Sequence, residues 1–386
     1  MHIAFLTPEF PHAKVAHAAG IGTSIKNLTT ALVKEGVSVT VLVYGQQTQE
    51  VIIENGVVIH LIKNRKYKLL GWFFHRKYIE NYCNSILKKE KIDLLEAADW
   101  TGITAFMKFK IPLIIRFHGS DAYFCYLEKR KQKWKNFFFE KLAVSGANAF
   151  IAPTIFAGEL SKKIFNIKSK TIQTIANGIT LESFTNTTPD VFEPGLVLYI
   201  GTLIRKKGVL ELPGIFSKVL QAYPEARLLL IGSDSADIKT NSASTWELMQ
   251  NQFNAADLKN VEYIGKIPYA EVQHYIRKAN VCVFPTFAET QGMVTIEAMA
   301  MQKAVVNSNI GWSQELIINQ ESGFLVHPEN HDLYAANIIQ LLQNNSLCEQ
   351  IGTQARTRTE AKFDIKKIVK DNIEFYQKIL STHKKR

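Results

Sequence analysis

Cysteine is scarce and scattered in this 386-residue chain: Cys83, Cys125, Cys282 and Cys348 form no C-x-x-C pair and have no histidine partners at metal-ligand spacing. That argues against a disulfide framework and against structural zinc, and fits a reduced, cytoplasmic setting. Long apolar runs are missing too. The longest, such as "GLVLYIGTLI" and "RLLLIG", are strand-length and fall short of the ~20 residues that a membrane-spanning helix needs. The start, "MHIAFLTPEF", lacks the basic beginning and apolar stretch of a signal peptide and reads as a buried strand entering a loop. No RNA- or DNA-binding motif accompanies the formal charge of +11, so nucleic acid is not an expected partner.

What is present is ordinary for a folded chain: 46% apolar and 21% charged residues. Single cores stop growing near ~250 to 300 residues, so the length implies two domains. Short β-rich runs alternate with helical patterns. "HIAFLT", "SVTVLVYG", "VVIHLI", "IDLLEA", "PLIIRFHG", "AFIAPT" and "TIQTIANG" precede a polar, Pro-bearing stretch, "TNTTPDVFEPG". The pattern then restarts with "LVLYIGTLI", "RLLLIGSD", "VEYIGKI", "VCVFPT", "AVVNSN" and "GFLV". Alternation of this kind predicts two α/β domains, each a Rossmann-like, doubly wound parallel sheet, facing across a cleft. The expected boundaries are 1–180 and 190–362, with a final segment 363–386.

Three stretches at expected carboxyl ends of strands carry chemistry. In "AAGIGTS", residues 18–24, Gly20 and Gly22 clear space ahead of a helix whose free N–H groups suit an anion. The dinucleotide spacing G-x-G-x-x-G fails, since Ile25 stands where its third glycine would be, and a simple tight turn stays open as a reading. In "GTLIRKKG", residues 201–208, Gly201, Thr202, Arg205, Lys206 and Lys207 suit a diphosphate, or else form a solvated basic turn. In "AETQGMVTIEAMA", residues 288–300, Glu289 lies in a loop, Gly292 and Met293 near a helix start, and Glu297 about a turn inside. The helix start would hold a phosphate, and the two carboxylates would accept hydrogen bonds from hydroxyl pairs on either flank. A ligand with a diol on each side of a diphosphate is a nucleotide sugar.

These residues, with "TPEFP", "AAGIGTSIKNLTTAL", "RFHGSD", "GANAFIAPT", "TIANGI", "GWSQELI" and "SGFLV", resemble the retaining, GT-B-fold glycosyltransferases of family 4. The resemblance covers nearly the whole chain. It implies that Glu289 holds hydroxyls of the donor sugar, Glu297 those of the ribose, and Lys207 the diphosphate. The backbone at Gly292 and Met293 would bond near sugar and phosphate, and His118 would face the donor sugar. The family commonly has Arg directly after the first glycine of the Lys-Gly loop; here it is Thr202, so Arg205 would take over part of the diphosphate charge. The final segment would be a helix packing back on the first domain.

Implied further are retention at the anomeric carbon and chemistry without metal or cofactor. A UDP-sugar is favoured over a GDP-sugar as donor, with a glycan or lipid-linked acceptor. Asp121, Glu96 and Asp99, near carboxyl ends of N-terminal strands, are acceptor-side candidates, although a cap or turn explains them as well. A catalytically inactive nucleotide-sugar-binding protein and a nucleotide-sugar epimerase are the alternative readings.

The surplus positive charge concentrates in "KNRKYKLLGWFFHRKY", residues 63–78, and "EKRKQKWKNFFFEK", residues 128–141, where Lys and Arg alternate with aromatics. Two readings stand: a surface resting on anionic lipid, making the protein peripheral on the inner face of a membrane, or aromatics packed inside with lysines facing water.

Overall fold

The computed structural model describes residues 1–16, 18–168 and 170–384, and the chain divides into two compact units. One comprises Met1–Thr180 and Asp364–Arg386; the other is Leu181–Phe363.

In the first unit, the described residues form strands β1 (His2–Thr7), β2 (Ser38–Gln46), β3 (Glu50–Glu54), β4 (Val57–Lys63), β5 (Leu94–Ala98), β6 (Leu113–Arg116), β7 (Ala149–Ala152) and β8 (Ile172–Thr174). Their order in the sheet is β3-β4-β2-β1-β5-β6-β7-β8, so the chain reverses its winding between β1 and β5. β1, β5, β6 and β7 are buried along almost their whole length, which is why they read as continuous Val/Ile/Leu/Ala runs rather than as alternation. One face packs Ile3, Phe5, Val41 and Ile114 against helices Gly20–Lys34 and Ile365–Lys384. The other packs Leu6, Leu42, Ile115 and Phe150 against helices Gly71–Lys89 and Trp134–Gly146.

The expected sheet was parallel throughout, and β3 departs from it. It pairs antiparallel with β4 through a two-residue turn at Asn55-Gly56, both with positive φ (50° and 80°), the backbone of a primed hairpin turn. The Asn-Gly pair between "EVIIE" and "VVIHLI" is the sequence signal for it.

The helix Ile365–Lys384 belongs to the first unit and is pinned there by a buried polar cluster. Arg116 at the end of β6 donates through Nε and Nη2 to Glu96 on β5 (2.7 and 3.1 Å) and through Nη2 to Asn372 (2.6 Å). The Tyr376 hydroxyl donates to Glu96 at 2.7 Å. Glu96 is therefore no acceptor-side group: its carboxylate is 2% exposed and wholly engaged in holding this helix on the sheet.

In the second unit, β9 (Leu196–Ile200), β10 (Arg227–Ile231), β11 (Val261–Gly265), β12 (Val281–Phe284), β13 (Ala304–Ser308) and β14 (Phe324–Val326) form a parallel sheet ordered β11-β10-β9-β12-β13-β14. The chain lays β10 and β11 to one side of β9 and β12 to β14 to the other. The gap between the carboxyl ends of β9 and β12 is thus the switch point where such sheets bind ligands. Among the described residues no helix is long and apolar enough to cross a membrane.

Breaking the buried pair by Arg116→Leu strands the Glu96 carboxylate and is expected to cost about 3–5 kcal/mol in urea unfolding. A loss below about 1 kcal/mol, the range of solvated pairs, would show that the cluster does not hold the helix.

Candidate active site

Two loops of the second unit meet at its switch point. After β9 the chain makes a single 3-10 turn, Arg205–Lys207, and Gly208 follows with φ 68°. A Cβ on Gly208 would lie 1.7 Å from the Pro285 carbonyl oxygen, so only glycine lets this turn press against the loop leaving β12. The Lys206 carbonyl then accepts the amides of Phe287 and Ala288 (2.9 and 3.2 Å), tying the two loops by backbone alone. Lys207 and Glu289 are brought together as a result: the Lys207 ammonium donates to Glu289 Oε2, and the Thr290 amide donates to Oε1 at 3.0 Å. Burial pushes the Glu289 carboxyl up, but the charge and hydrogen bond of Lys207, with help from Thr290 and Lys206, hold it below its ordinary range.

Three residues on, Gly292 (φ 90°) caps the helix Met293–Ala300 without a side-chain cap. The first N–H groups of that helix, starting at Met293, have no intrahelical partner and carry the positive end of its dipole. The Glu289 side chain approaches this cap, its Cγ 3.8 Å from where a Gly292 Cβ would stand. Glu297 lies one turn in, 2% exposed, and accepts the Tyr269 hydroxyl at 2.5 Å. Burial pushes its pKa up to about 7 against the pull of that hydroxyl.

Other candidates are placed differently. Arg205 is paired in the resting site: its Nε and Nη2 donate to the two oxygens of Asp237 at 2.8 and 2.7 Å. That guanidinium, with Thr240, holds the Asp237 carboxyl well below the usual range despite burial. Gly201 donates its amide to the Ile231 carbonyl (2.9 Å), and the Thr202 carbonyl accepts the Tyr199 hydroxyl (3.1 Å), so both are used by the sheet end.

In the first unit, Gly20 opens the helix after β1, with nothing within 4 Å of its missing side chain. The Gly22 amide is already met by an anion of the protein itself, Glu9 Oε1, at 2.8 Å. A Cβ on Gly22 would come 3.2 Å from the Glu9 and Phe10 backbone, so that glycine serves close packing. Asp99 after β5 accepts the amides of His118 (2.9 Å) and Gly119 (3.2 Å) and is 4% exposed, which makes it a brace for the His118 loop rather than an acceptor ligand. Burial raises it to about 7 while those amides pull it down. His118, half-buried at the end of β6, is lowered to about 3 by burial and by Arg116, so its imidazole is neutral at physiological pH. Asp121 starts a helix and binds Arg130, Gln132 and Asn136 (3.2, 3.3 and 3.2 Å), a local network that occupies its carboxylate.

Sequence reasoning missed Tyr269, Asp237 and Glu9. Each is a partner brought in from a distant segment, and no local spacing marks them. A Pro-Tyr start to the helix Tyr269–Lys278 is the sole hint of the first.

Comparison with known proteins places this geometry in context. Residues 189–358 match the family described as glycosyl transferases group 1, and residues 18–183 match Glycosyltransferase Family 4. An uncharacterized glycosyltransferase of Methanocaldococcus jannaschii is 23% identical over 96% of this chain and 97% of its own. The capsular polysaccharide biosynthesis glycosyltransferase CapM of Staphylococcus aureus is 31% identical over 43% of this chain and 41% of its own. Among solved structures, the sucrose-phosphate synthase of Thermosynechococcus elongatus superposes with a TM-score of 0.82 over 99% of both chains at 22% identity. Anabaena HepE in complex with UDP and glucose gives 0.74 over 98% of this chain and 100% of that one at 16% identity. The fold is GT-B.

Lys207→Ala leaves the Glu289 carboxylate buried and is expected to cost about 3 kcal/mol, most of which the double variant Lys207→Met/Glu289→Gln restores. Urea unfolding of the set checks this. For Glu297 the folded pKa lies above the free value of 4.5, so its stabilising protonation is fully present below that value and is lost as pH rises through about 7. Glu297→Gln is therefore expected to leave thermal stability nearly unchanged at about pH 4 and to raise it at about pH 8. Equal effects at both pH values would contradict the burial of that charge.

Proposed function

The chain belongs to the group 1 glycosyltransferases of family 4, and from that premise we propose that it transfers a sugar from a nucleoside-diphosphate sugar, UDP-linked rather than GDP-linked, to a hydroxyl of a glycan or lipid-linked acceptor, with retention and without a metal. The observation that carries the reading is the convergence at one switch point of Lys207, Glu289 and the start of the helix bearing Glu297. A cation and a helix N-terminus suit a diphosphate, and the buried Glu297 and partly buried Glu289 carboxylates suit hydroxyl pairs. The UDP in the Anabaena HepE structure and the capsular polysaccharide role in the name of CapM support the donor and acceptor classes.

In this mechanism the entering diphosphate takes over the Lys207 ammonium from Glu289, and the freed carboxylate turns to sugar hydroxyls. The ribose hydroxyls displace the Tyr269 phenol from Glu297. As the bond between the anomeric carbon and the phosphate oxygen breaks, the growing negative charge is held by Lys207 and by the amides at Gly292 and Met293. The acceptor oxygen bonds the same face of the oxocarbenium-like carbon, and its proton passes to the departing phosphate oxygen. His118, kept neutral, can offer a hydrogen bond but no positive charge.

Incubation with UDP at about a hundred times its dissociation constant is expected to add ~2.7 kcal/mol of stability, with GDP adding less. Glu289→Ala is expected to lower turnover to free nucleoside diphosphate by about a hundredfold. Proton NMR of the first-formed product should show the donor's anomeric configuration. Binding of UDP-sugar without turnover, for any acceptor, would leave a binding protein; an inverted product would remove the same-face route.

A further inference from the structure

We propose that the first unit docks on an anionic lipid bilayer through the starts of its helices Gly71–Lys89 and Trp134–Gly146, with Leu69, Leu70, Phe74, Trp134 and Phe138 entering the head-group layer. The expected split between core aromatics and lipid-facing aromatics is resolved residue by residue. Phe139 is buried and packs against the partly buried Trp72 in a tilted pair, ring centroids 4.9 Å apart, with Arg76 over Phe139 at 4.4 Å. Leu69 and Trp134 are each 79% exposed, and Leu70, Phe74 and Phe138 are exposed as well.

A chain of ring contacts links the exposed rings Tyr67, Phe74 and Phe138 through the partly exposed Phe73 and Phe106. Tyr67 contacts Phe74 (5.8 Å), Phe74 contacts Phe73 (5.7 Å), Phe73 contacts Phe106 (5.8 Å), and Phe106 contacts Phe138 (6.3 Å). Trp134 precedes Phe138 by one helical turn, on the same face. Lys135 lies over Trp72 at 5.4 Å and joins the two helices. Leu70 holds a left-handed backbone (φ 47°), an unfavourable conformation for leucine, at a position where its side chain gains little burial.

Charge identifies the occupant. Residues 63–78 and 128–141 contain twelve Lys and Arg against two Glu, nearly the whole excess of the chain. Arg130 is offset by Glu128 and Asp121, Lys77 by Glu80, and Arg76 is buried, while Glu140 is buried and accepts the amides of Asp121 and Ala122; the other nine cations of the two stretches are exposed. Both helices begin without an acidic residue in the first turn and without a side-chain cap, so their N-termini add positive potential. Leucines and aromatics ringed by cations match a bilayer interface, where apolar groups enter and cations meet phosphates. A nucleic acid would use the cations and aromatics but has no place for Leu69 and Leu70.

The test uses the full chain, without donor or acceptor, so its outcome is independent of the transferase reading. Sedimentation with phosphatidylcholine vesicles is compared with vesicles containing about a third phosphatidylglycerol. Binding to the anionic vesicles only, weakened by salt, is expected. Leu69→Ser/Leu70→Ser/Trp134→Ser and, separately, Lys66→Glu/Lys131→Glu/Lys133→Glu are each expected to weaken it by about tenfold or more, with circular-dichroism melts and UDP binding unchanged. Brominated lipid should quench fluorescence in the parent protein more than in Trp134→Phe. No binding, equal binding to neutral vesicles, indifference to both variant sets, or equally tight binding of an oligonucleotide that displaces the vesicles would each overturn the proposal.

Discussion

The second unit depends on one close approach: the turn after β9 pressed against the loop after β12, with no room for a side chain at Gly208. From that approach follow the backbone ties between Lys206 and residues 287 and 288, and then the pairing of Lys207 with Glu289. The pair is partly covered, its side chains 21% and 19% exposed, so its charges matter more than they would on the open surface, and removing one costs stability through the other. A ligand able to replace Glu289 on Lys207 must itself be anionic and must give Glu289 hydroxyls in exchange. A sugar attached to phosphate, the donor class proposed above, offers both.

The neighbouring helix Met293–Ala300 applies the same logic to its acid. Glu297 is buried with a phenol as partner and a pKa near neutrality, a costly state when the group is ionised. Stability alone would favour an apolar residue there; under the proposed function the carboxylate is kept for a hydroxyl-bearing ligand that replaces Tyr269. Stability is given up locally for binding, as functional sites often require.

Much of this was legible in the sequence. Runs buried on both sheet faces announce themselves as unbroken Val, Ile and Leu, and the restart after residue 195 gives the second sheet. The helix with Glu297 was readable from its Gly292 start. β3 escaped because a five-residue strand with Glu at each end carries little pattern, although its Asn-Gly turn was visible. The carboxylates were harder. Glu96 lies within a strand and Asp99 and Asp121 follow strands, where ligand-binding acids also lie, yet each is engaged by a partner distant in sequence: Arg116 and Tyr376, the His118 amide, Asn136. Arg205 and Lys207 sit two positions apart in one basic run. Only the 3-10 turn decides that the first faces Asp237 and the second Glu289. Composition likewise located the surplus charge, but which rings of 63–78 and 128–141 are inside depended on tertiary contacts.

The central claim is that a diphosphate is gripped between Lys207 and the start of the helix Met293–Ala300, and a crystal structure of the chain with UDP tests it most directly. The account expects a phosphate oxygen within hydrogen-bond distance of Lys207 Nζ and of the Met293 amide, with the ribose hydroxyls on Glu297 in place of Tyr269. UDP bound elsewhere, with the Lys207–Glu289 and Tyr269–Glu297 contacts intact, would contradict it.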